Sequence, residues 1–370
     1  MNTNWYVVEN IEQIDSPSVL LYEDRLSRNL TKIVSLADRD VSRVMPHIKT
    51  NKMPKVIERM LSFGLSRFKS STIAEAEMAA EVGAKEVLVA HQLVGPKIQR
   101  FGTLVSQFSE THFSTLTDNI DSLRRLEREA KEKKVKFSVF IDVNTGMNRS
   151  GIEPGPSMND LIELIVASEY LIFEGFHAYD GHLRDKEYTV RKDKVEQGVA
   201  PLTRVYKEFK KKYPMIRLIC GGTPSFTSHI MEDGRVCSPG TCVLWDWGYS
   251  EKLTEQTFEY AALLVTRVIS KPTQGIITVD LGHKAVASEN PIDKRVKFLN
   301  LEQYELISQS EEHGVIKIKN WDTIHVGDVL YGVPYHICPT INLYDDVSVI
   351  SNRRKIDEWQ ILARKRKITI

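Results

Sequence analysis

The chain has 370 residues, 42% of them hydrophobic, and 50 basic side chains against 49 acidic ones leave a net charge of +1. That content is too apolar for a disordered chain, and so even a charge gives nucleic acid no electrostatic footprint. No apolar run reaches the ~18–20 residues of a membrane span, and the scattered cysteines (Cys220, Cys237, Cys242, Cys338) make no disulfide scaffold. The opening stretch lacks a basic flank followed by an apolar run, so no secretory leader is expected and the cytoplasm is the expected compartment.

From residue 18 to 247, short β-rich runs alternate with helical segments. Strands are predicted over 19–22, 43–48, 66–69, 86–90, 112–116, 136–143, 172–178, 216–220 and 236–244. Their cores are nearly continuous apolar residues, as parallel strands covered on both faces require. Helices are predicted over 71–83, 118–134 and 186–213, the first two with acceptor-rich starts and Gly or Lys at their ends. This alternation predicts an α/β fold, a (β/α)8 TIM-type barrel over 18–247. No G-x-G-x-x-G follows the first strand, which weighs against a dinucleotide fold. After residue 247 the helical period fades. Short runs over 261–270, 275–280, 314–319, 328–332 and 346–350 predict a C-terminal, mostly antiparallel β domain over 248–370. Residues 1–17, with Trp5-Tyr6-Val7-Val8, are expected to add a strand to it, and the basic run at 364–367 is expected to be a solvated terminal strand.

Barrel enzymes keep reactive side chains just beyond the C-terminal ends of their strands. Lys49 follows the second predicted strand there, where lost hydration would free an amine for imine formation. The alternative is a lysine snorkelling to the rim. His177, Tyr179, Asp180 and His182 cluster after the seventh strand, suited either to a cofactor ring and proton relay or to a hydrogen-bonded closing loop. Two late turns, Gly221-Gly222-Thr223 and Pro239-Gly240-Thr241, offer bare backbone amides and hydroxyls to a phosphate. In the β domain, His336 and Cys338 stand two apart on a segment expected to be extended, so that both would face one soft divalent ion such as zinc.

Taken together, these motifs resemble the D-threonine aldolase and D-serine dehydratase family, fold-type III pyridoxal-phosphate enzymes with an alanine-racemase-like barrel and a C-terminal β domain. The family's Arg-Pro-His-x-Lys-Thr-His-Lys stands here as Met45-Pro46-His47-Ile48-Lys49-Thr50-Asn51-Lys52. Its Asp-x-Gly-x-x-Arg-x-Gly stretch is matched, with extra residues, by Asp142 to Gly151. The resemblance implies Lys49 as the Schiff-base and catalytic lysine, with His47, Arg149, His177, Tyr179, Gly222, Thr223, Gly240 and Thr241 around the cofactor. It further implies His336 and Cys338 on the metal, zinc first and manganese or magnesium as alternatives, and a homodimer. His-x-Cys is the dehydratase form and His-x-Asp the aldolase form, a difference that follows ligand softness. The expected reaction is therefore β-elimination from a D-β-hydroxy amino acid, giving a keto acid and ammonia. Retro-aldol cleavage to glycine and an aldehyde is the alternative, and a racemase or a non-catalytic cofactor-binding protein are the others. Met45 and Asn51 replace the family's arginine and histidine, which bears on the substrate more than on the cofactor.

Overall fold

The computed structural model describes residues 4–370. They divide into two compact units: Ile33–Gly240 with Lys365–Ile370, and the chain through Lys32 with Thr241–Arg364. These bounds differ from the expected 18–247 and 248–370. The strand β1 (Ser18–Tyr22), expected to open the barrel, lies in the sheet of the other unit. Four of its five residues are buried, so its apolar pattern suits either sheet and cannot name its partner.

The barrel unit contains β2 (Arg67–Ser70), β3 (Glu86–Gln92), β4 (His112–Thr117), β5 (Phe137–Val143), β6 (Leu171–Ala178), β7 (Arg217–Cys220) and β8 (Arg235–Cys237), paired in parallel in chain order. The predicted strand over 43–48 supplies the eighth place. Val44 bridges Cys237 of β8 on one side and His47 bridges Lys69 of β2 on the other, which closes the ring. It shows as isolated bridges rather than a ladder, and Pro46, which has no N–H to give, stands between them. The expected strand over 236–244 stops at Cys237. Ser238-Pro239-Gly240 turns away and Thr241–Val243 is a 3-10 turn.

Helices follow the strands as predicted. Among them are α1 (Glu23–Leu36), α2 (Pro54–Ser62), α3 (Ile73–Glu81), α4 (Pro96–Gln107), α5 (Ile120–Lys133), α6 (Pro156–Ala167), α7 (Tyr188–Lys212) and the short α8 (Phe226–His229). The Thr72 hydroxyl accepts the Glu75 amide to start α3, and the Asn119 side chain accepts the Ser122 amide to start α5. Six apolar residues fill the barrel: Met45, Leu88, Leu116, Phe140, Ile219 and Val236. Met45, in place of the family's arginine, is thus a core residue.

The second unit pairs β1 antiparallel with β9 (Ala262–Thr273) and parallel with β15 (Asp346–Ser351). Around them lie β10 (Ile276–Val279), β11 (Val296–Phe298), β12 (Tyr304–Gln309), β13 (Gly314–Ile318), β14 (Val329–Pro334) and β16 (Arg354–Gln360), all paired antiparallel. Residues 5–8 form no strand. Tyr6 and Val8 instead pack into the core with Leu20, Leu263 and Tyr331. The basic run is not a strand either: a 3-10 turn spans Leu362–Arg364, and in the barrel unit the last residues are tied down by side chains. Arg100 donates to the carbonyls of Arg366 and Ile370, and the buried Glu77 accepts the amides of Thr369 and Ile370. No helix among the described residues is long and apolar enough to cross a membrane.

Candidate active site

A cavity of about 390 Å³ is lined by residues from the C-terminal ends of the barrel strands and the turns beyond them, including His47, Lys49, Lys69, Asp142, Arg149, His177 and Tyr179. That size lies in the range of small-molecule sites. Five residues expected at the site therefore meet there. Lys49 sits in the 3-10 turn Ile48–Thr50, half-buried, and its Nζ lies 5.8 Å from the centre of the Tyr179 ring. Among the described residues this amine meets no hydrogen-bond acceptor. The Arg149 guanidinium lies 4.7 Å from the same ring. His47 is buried; its Nδ1 accepts the Lys49 amide and its Nε2 meets the Ser71 hydroxyl at 3.2 Å. Burial, then the charges of Lys49 and Lys69, hold its pKa well below the usual histidine range, so it is a neutral imidazole.

Sequence reasoning missed Lys69. It sits inside β2, 2% exposed, with Nζ 3.4 Å from His177 Nε2 and 3.4 Å from the Gly221 carbonyl. Burial, and next the charge of Lys49, bring its pKa down to about 7 against the pull of Asp142 and Asp180. The signal was available: a lysine in the middle of a strand covered on both faces is uncommon unless paired. Asp142 belongs to the matched motif but had no role assigned. Its Oδ1 lies 2.7 Å from His177 Nδ1, and its Oδ2 accepts from Gln92 at 2.6 Å and Ser150 at 3.0 Å. Burial pushes this carboxyl up, yet those bonds bring it below the ordinary aspartate value.

The two glycine turns also come together. Gly240 donates its amide to Thr223 Oγ1 at 3.0 Å. A Cβ on Gly240 would come within 2.8 Å of the His47 carbonyl, and one on Gly222 within 2.8 Å of the Tyr179 ring. Only glycine leaves the backbone this bare. Behind them is a buried network that sequence reasoning did not find. Asp180 accepts from Ser225 at 2.6 Å and meets His229 Nε2 at 2.8 Å, while Arg235 approaches His229 Nδ1 at 3.0 Å and pairs with Glu196. This network links the tyrosine loop to the Gly221–Ser225 turn. At the end of β8, Ser238 Oγ is buried without a partner among the described residues.

These features fit pyridoxal phosphate. The cavity sets three cations, Lys49, Lys69 and Arg149, against one carboxylate, Asp142, which is already bonded. An anionic group is the natural complement.

In the second unit His336 and Cys338 lie at the start of α9 (Ile337–Ile341), His336 as its N-cap, rather than on the expected extended segment. The pair still meets: the imidazole hydrogen-bonds Cys338, and Thr241 Oγ1 lies 3.4 Å from the sulfur. Thr241 is thus seen beside Cys338. Burial lowers the His336 pKa, but Cys338, Asp246 and Glu289 outweigh it and raise it to about 9. The Glu289 carboxylate takes Nδ1 at 2.6 Å, the carboxylate–histidine arrangement that leaves Nε2 for a metal. Among the described residues no cluster of three or more His, Cys, Asp or Glu fit to hold a metal is found. A soft divalent ion on this nitrogen and sulfur, with positions open, suits the donor set.

The family model "Alanine racemase, N-terminal domain" matches residues 22–245, and the model "Putative serine dehydratase domain" matches 261–350. The chain belongs to the alanine racemase N-terminal domain family and carries the dehydratase-type domain after it. The 3-hydroxy-D-aspartate aldolase of Paracoccus denitrificans is 24% identical over 95% of this chain and 92% of its own length. The D-serine dehydratase of Dictyostelium discoideum is also 24% identical, over 94% of this chain and 96% of its own. The crystal structure of D-threonine aldolase from Filomicrobium marinum matches with a TM-score of 0.85 and 25% identity, covering 95% of each chain. The expected fold, family and enzyme class hold: relatives spanning the chain are aldolases and dehydratases of D-amino acids.

Proposed function

We propose that the chain is a pyridoxal-phosphate- and metal-dependent lyase of D-β-hydroxy amino acids, and that its reaction is β-elimination to a keto acid and ammonia. The observation that carries the reading is Lys49: an amine without a hydrogen-bond acceptor, opening on a cation-rich cavity beside Tyr179 and Arg149. Lys49 would bind the cofactor aldehyde, and Gly222, Thr223, Gly240 and Thr241 would bind its phosphate through backbone amides and hydroxyls. When bound, the cofactor supplies a sink for the electrons left by the Cα proton.

The chain's own groups do the rest. The Lys49 amine, when free, would accept the Cα proton. Arg149 offers a cation to the substrate carboxylate, while His47 and His177 line the cavity as neutral imidazoles. His336 and Cys338 would hold zinc, which would supply a Lewis acid able to polarise a hydroxyl oxygen. The His-x-Cys pair favours elimination over the aldol route, since cysteine selects a softer ion than aspartate would. Retro-aldol cleavage is the second reading, favoured by the aldolases among the relatives. A product assay separates the two: loaded with cofactor and zinc, the protein is expected to yield pyruvate from D-serine. Glycine plus acetaldehyde from D-threonine, with no pyruvate from D-serine, would replace elimination by the aldol route. A chelator is expected to stop turnover, and chelator-resistant interconversion of D- and L-amino acids would point to a racemase.

A further inference from the structure

His177 is gripped at both ring nitrogens by buried groups. Asp142 Oδ1 lies 2.7 Å from Nδ1, and Lys69 Nζ lies 3.4 Å from Nε2. A carboxylate can only accept, so Nδ1 carries the hydrogen, and Nε2 then presents a lone pair to an amine that donates. Neither neighbour is free to swing away. Asp142 is held by Gln92 and Ser150, and Lys69 is also within 3.4 Å of the Gly221 carbonyl.

Topology makes the contact unusual. In the closed ring of eight places, β2 and β6 stand four apart, on opposite sides of the barrel. Lys69 therefore reaches across the interior to His177, a span suited to a long unbranched side chain. As a stabilising device this is poor. Burying an ammonium is expensive, and two contacts at 3.4 Å return little of that cost. A methionine would fill the space without that penalty.

We propose that Lys69 is a positioning residue, a strut across the barrel that donates to His177 Nε2 and so holds the imidazole, whose Nδ1–H Asp142 accepts, in place at the cavity. The inference deepens the function proposed above and rests on it in taking this cavity as the reaction site. The charged and titratable groups around the pair are His47 in the bridged segment beside β2, Lys49 just after it, Asp142 on β5, Arg149 in the following loop, Tyr179 and Asp180 after β6, Cys220 on β7 and Cys237 on β8. Burial is the largest influence lowering the His177 pKa and the Lys69 charge is the next, with Asp142 opposing both. Taking away the Lys69 charge therefore moves His177 upward, toward forming an imidazolium inside the cavity.

The test is nitrogen NMR of the full chain labelled in its histidines, compared with Lys69→Met, Lys69→Arg and Lys69→Gln between about pH 6 and 9. In the wild type, His177 is expected to show hydrogen on Nδ1, a bare Nε2 and no titration. Lys69→Met is expected to leave the hydrogen on Nδ1, which Asp142 accepts, to shift the Nε2 signal as its donor is lost, and to move the titration upward. Lys69→Arg keeps the wild-type pattern, and Lys69→Gln keeps the donor but not the charge, so the tautomer survives while the titration moves. A wild-type Nε2–H, or a Lys69→Met protein whose Nε2 signal is unchanged, would overturn the proposal. A wild-type Nε2–H would overturn it even where a variant fails to fold. These readings need no turnover, so absence of lyase activity would count against the proposed function and leave the strut standing.

Discussion

The two ends of the barrel treat charge in opposite ways. At the N-terminal ends of its strands, Arg217 pairs with Glu86 at 2.7 Å and with Glu174 at 2.8 Å, and Glu174 meets His112 at 2.9 Å. Charges of both signs are bonded to one another there. At the C-terminal ends, Lys49, Lys69 and Arg149 face one shared carboxylate across an open cavity. A closed network holds strands in register, whereas an unbalanced one costs stability and invites an anion. The first belongs to folding and the second to chemistry, a division familiar in barrels of this architecture.

Substitutions at the two ends should accordingly read out on different instruments. Lys49→Ala is expected to remove the visible band of the lysine-bound cofactor and to lower turnover by about 10²–10⁴-fold, with thermal stability little changed. A yellow, active Lys49→Ala protein would break the division. Arg217→Ala is expected to do the reverse: a loss of about 2–3 kcal/mol in denaturant unfolding, with cofactor affinity retained. Lost affinity at unchanged stability would show the two ends to be one system.

The pH dependence of the lower end sharpens the point. Burial pushes the Glu174 carboxyl up, but His112 and Arg217 prevail and hold it near 2 against an ordinary 4.5. A folded pKa below the unfolded one stabilises above the unfolded value, and that stability is lost as pH falls through the folded one. The stability gap between wild type and Glu174→Gln should thus be full at neutral pH and close between about pH 4.5 and 2. A gap that widened on acidification would reverse the assignment. The smallest change is expected outside the barrel. Cys338→Asp should leave both the visible band and stability in place and move metal preference from zinc toward manganese or magnesium, read by metal content and by activity after reloading. Unchanged preference would remove Cys338 from the metal.

What the sequence showed and hid follows from distance along the chain. Lys49 after His47, the two glycine turns and the His336–Cys338 pair are local patterns, legible from spacing alone. The Lys69–His177 contact joins residues 108 apart on opposite strands, so no local pattern announces it. Asp180, Ser225, His229 and Arg235 are likewise ordinary residues until the loop after β6 meets the turn after β7. The same limit explains β1: its apolar run predicts a buried strand correctly and says nothing of which sheet buries it. For His336 and Cys338 the contact is present although the segment is a helix start rather than the expected extended one.

Two lysines share the cavity, and the account assigns them different work. Borohydride reduction of the cofactor-loaded protein, followed by peptide mapping of the fixed label, separates them in one experiment. The account predicts the label on Lys49, with Lys69 unmodified. A label on Lys69, or on neither, would contradict it.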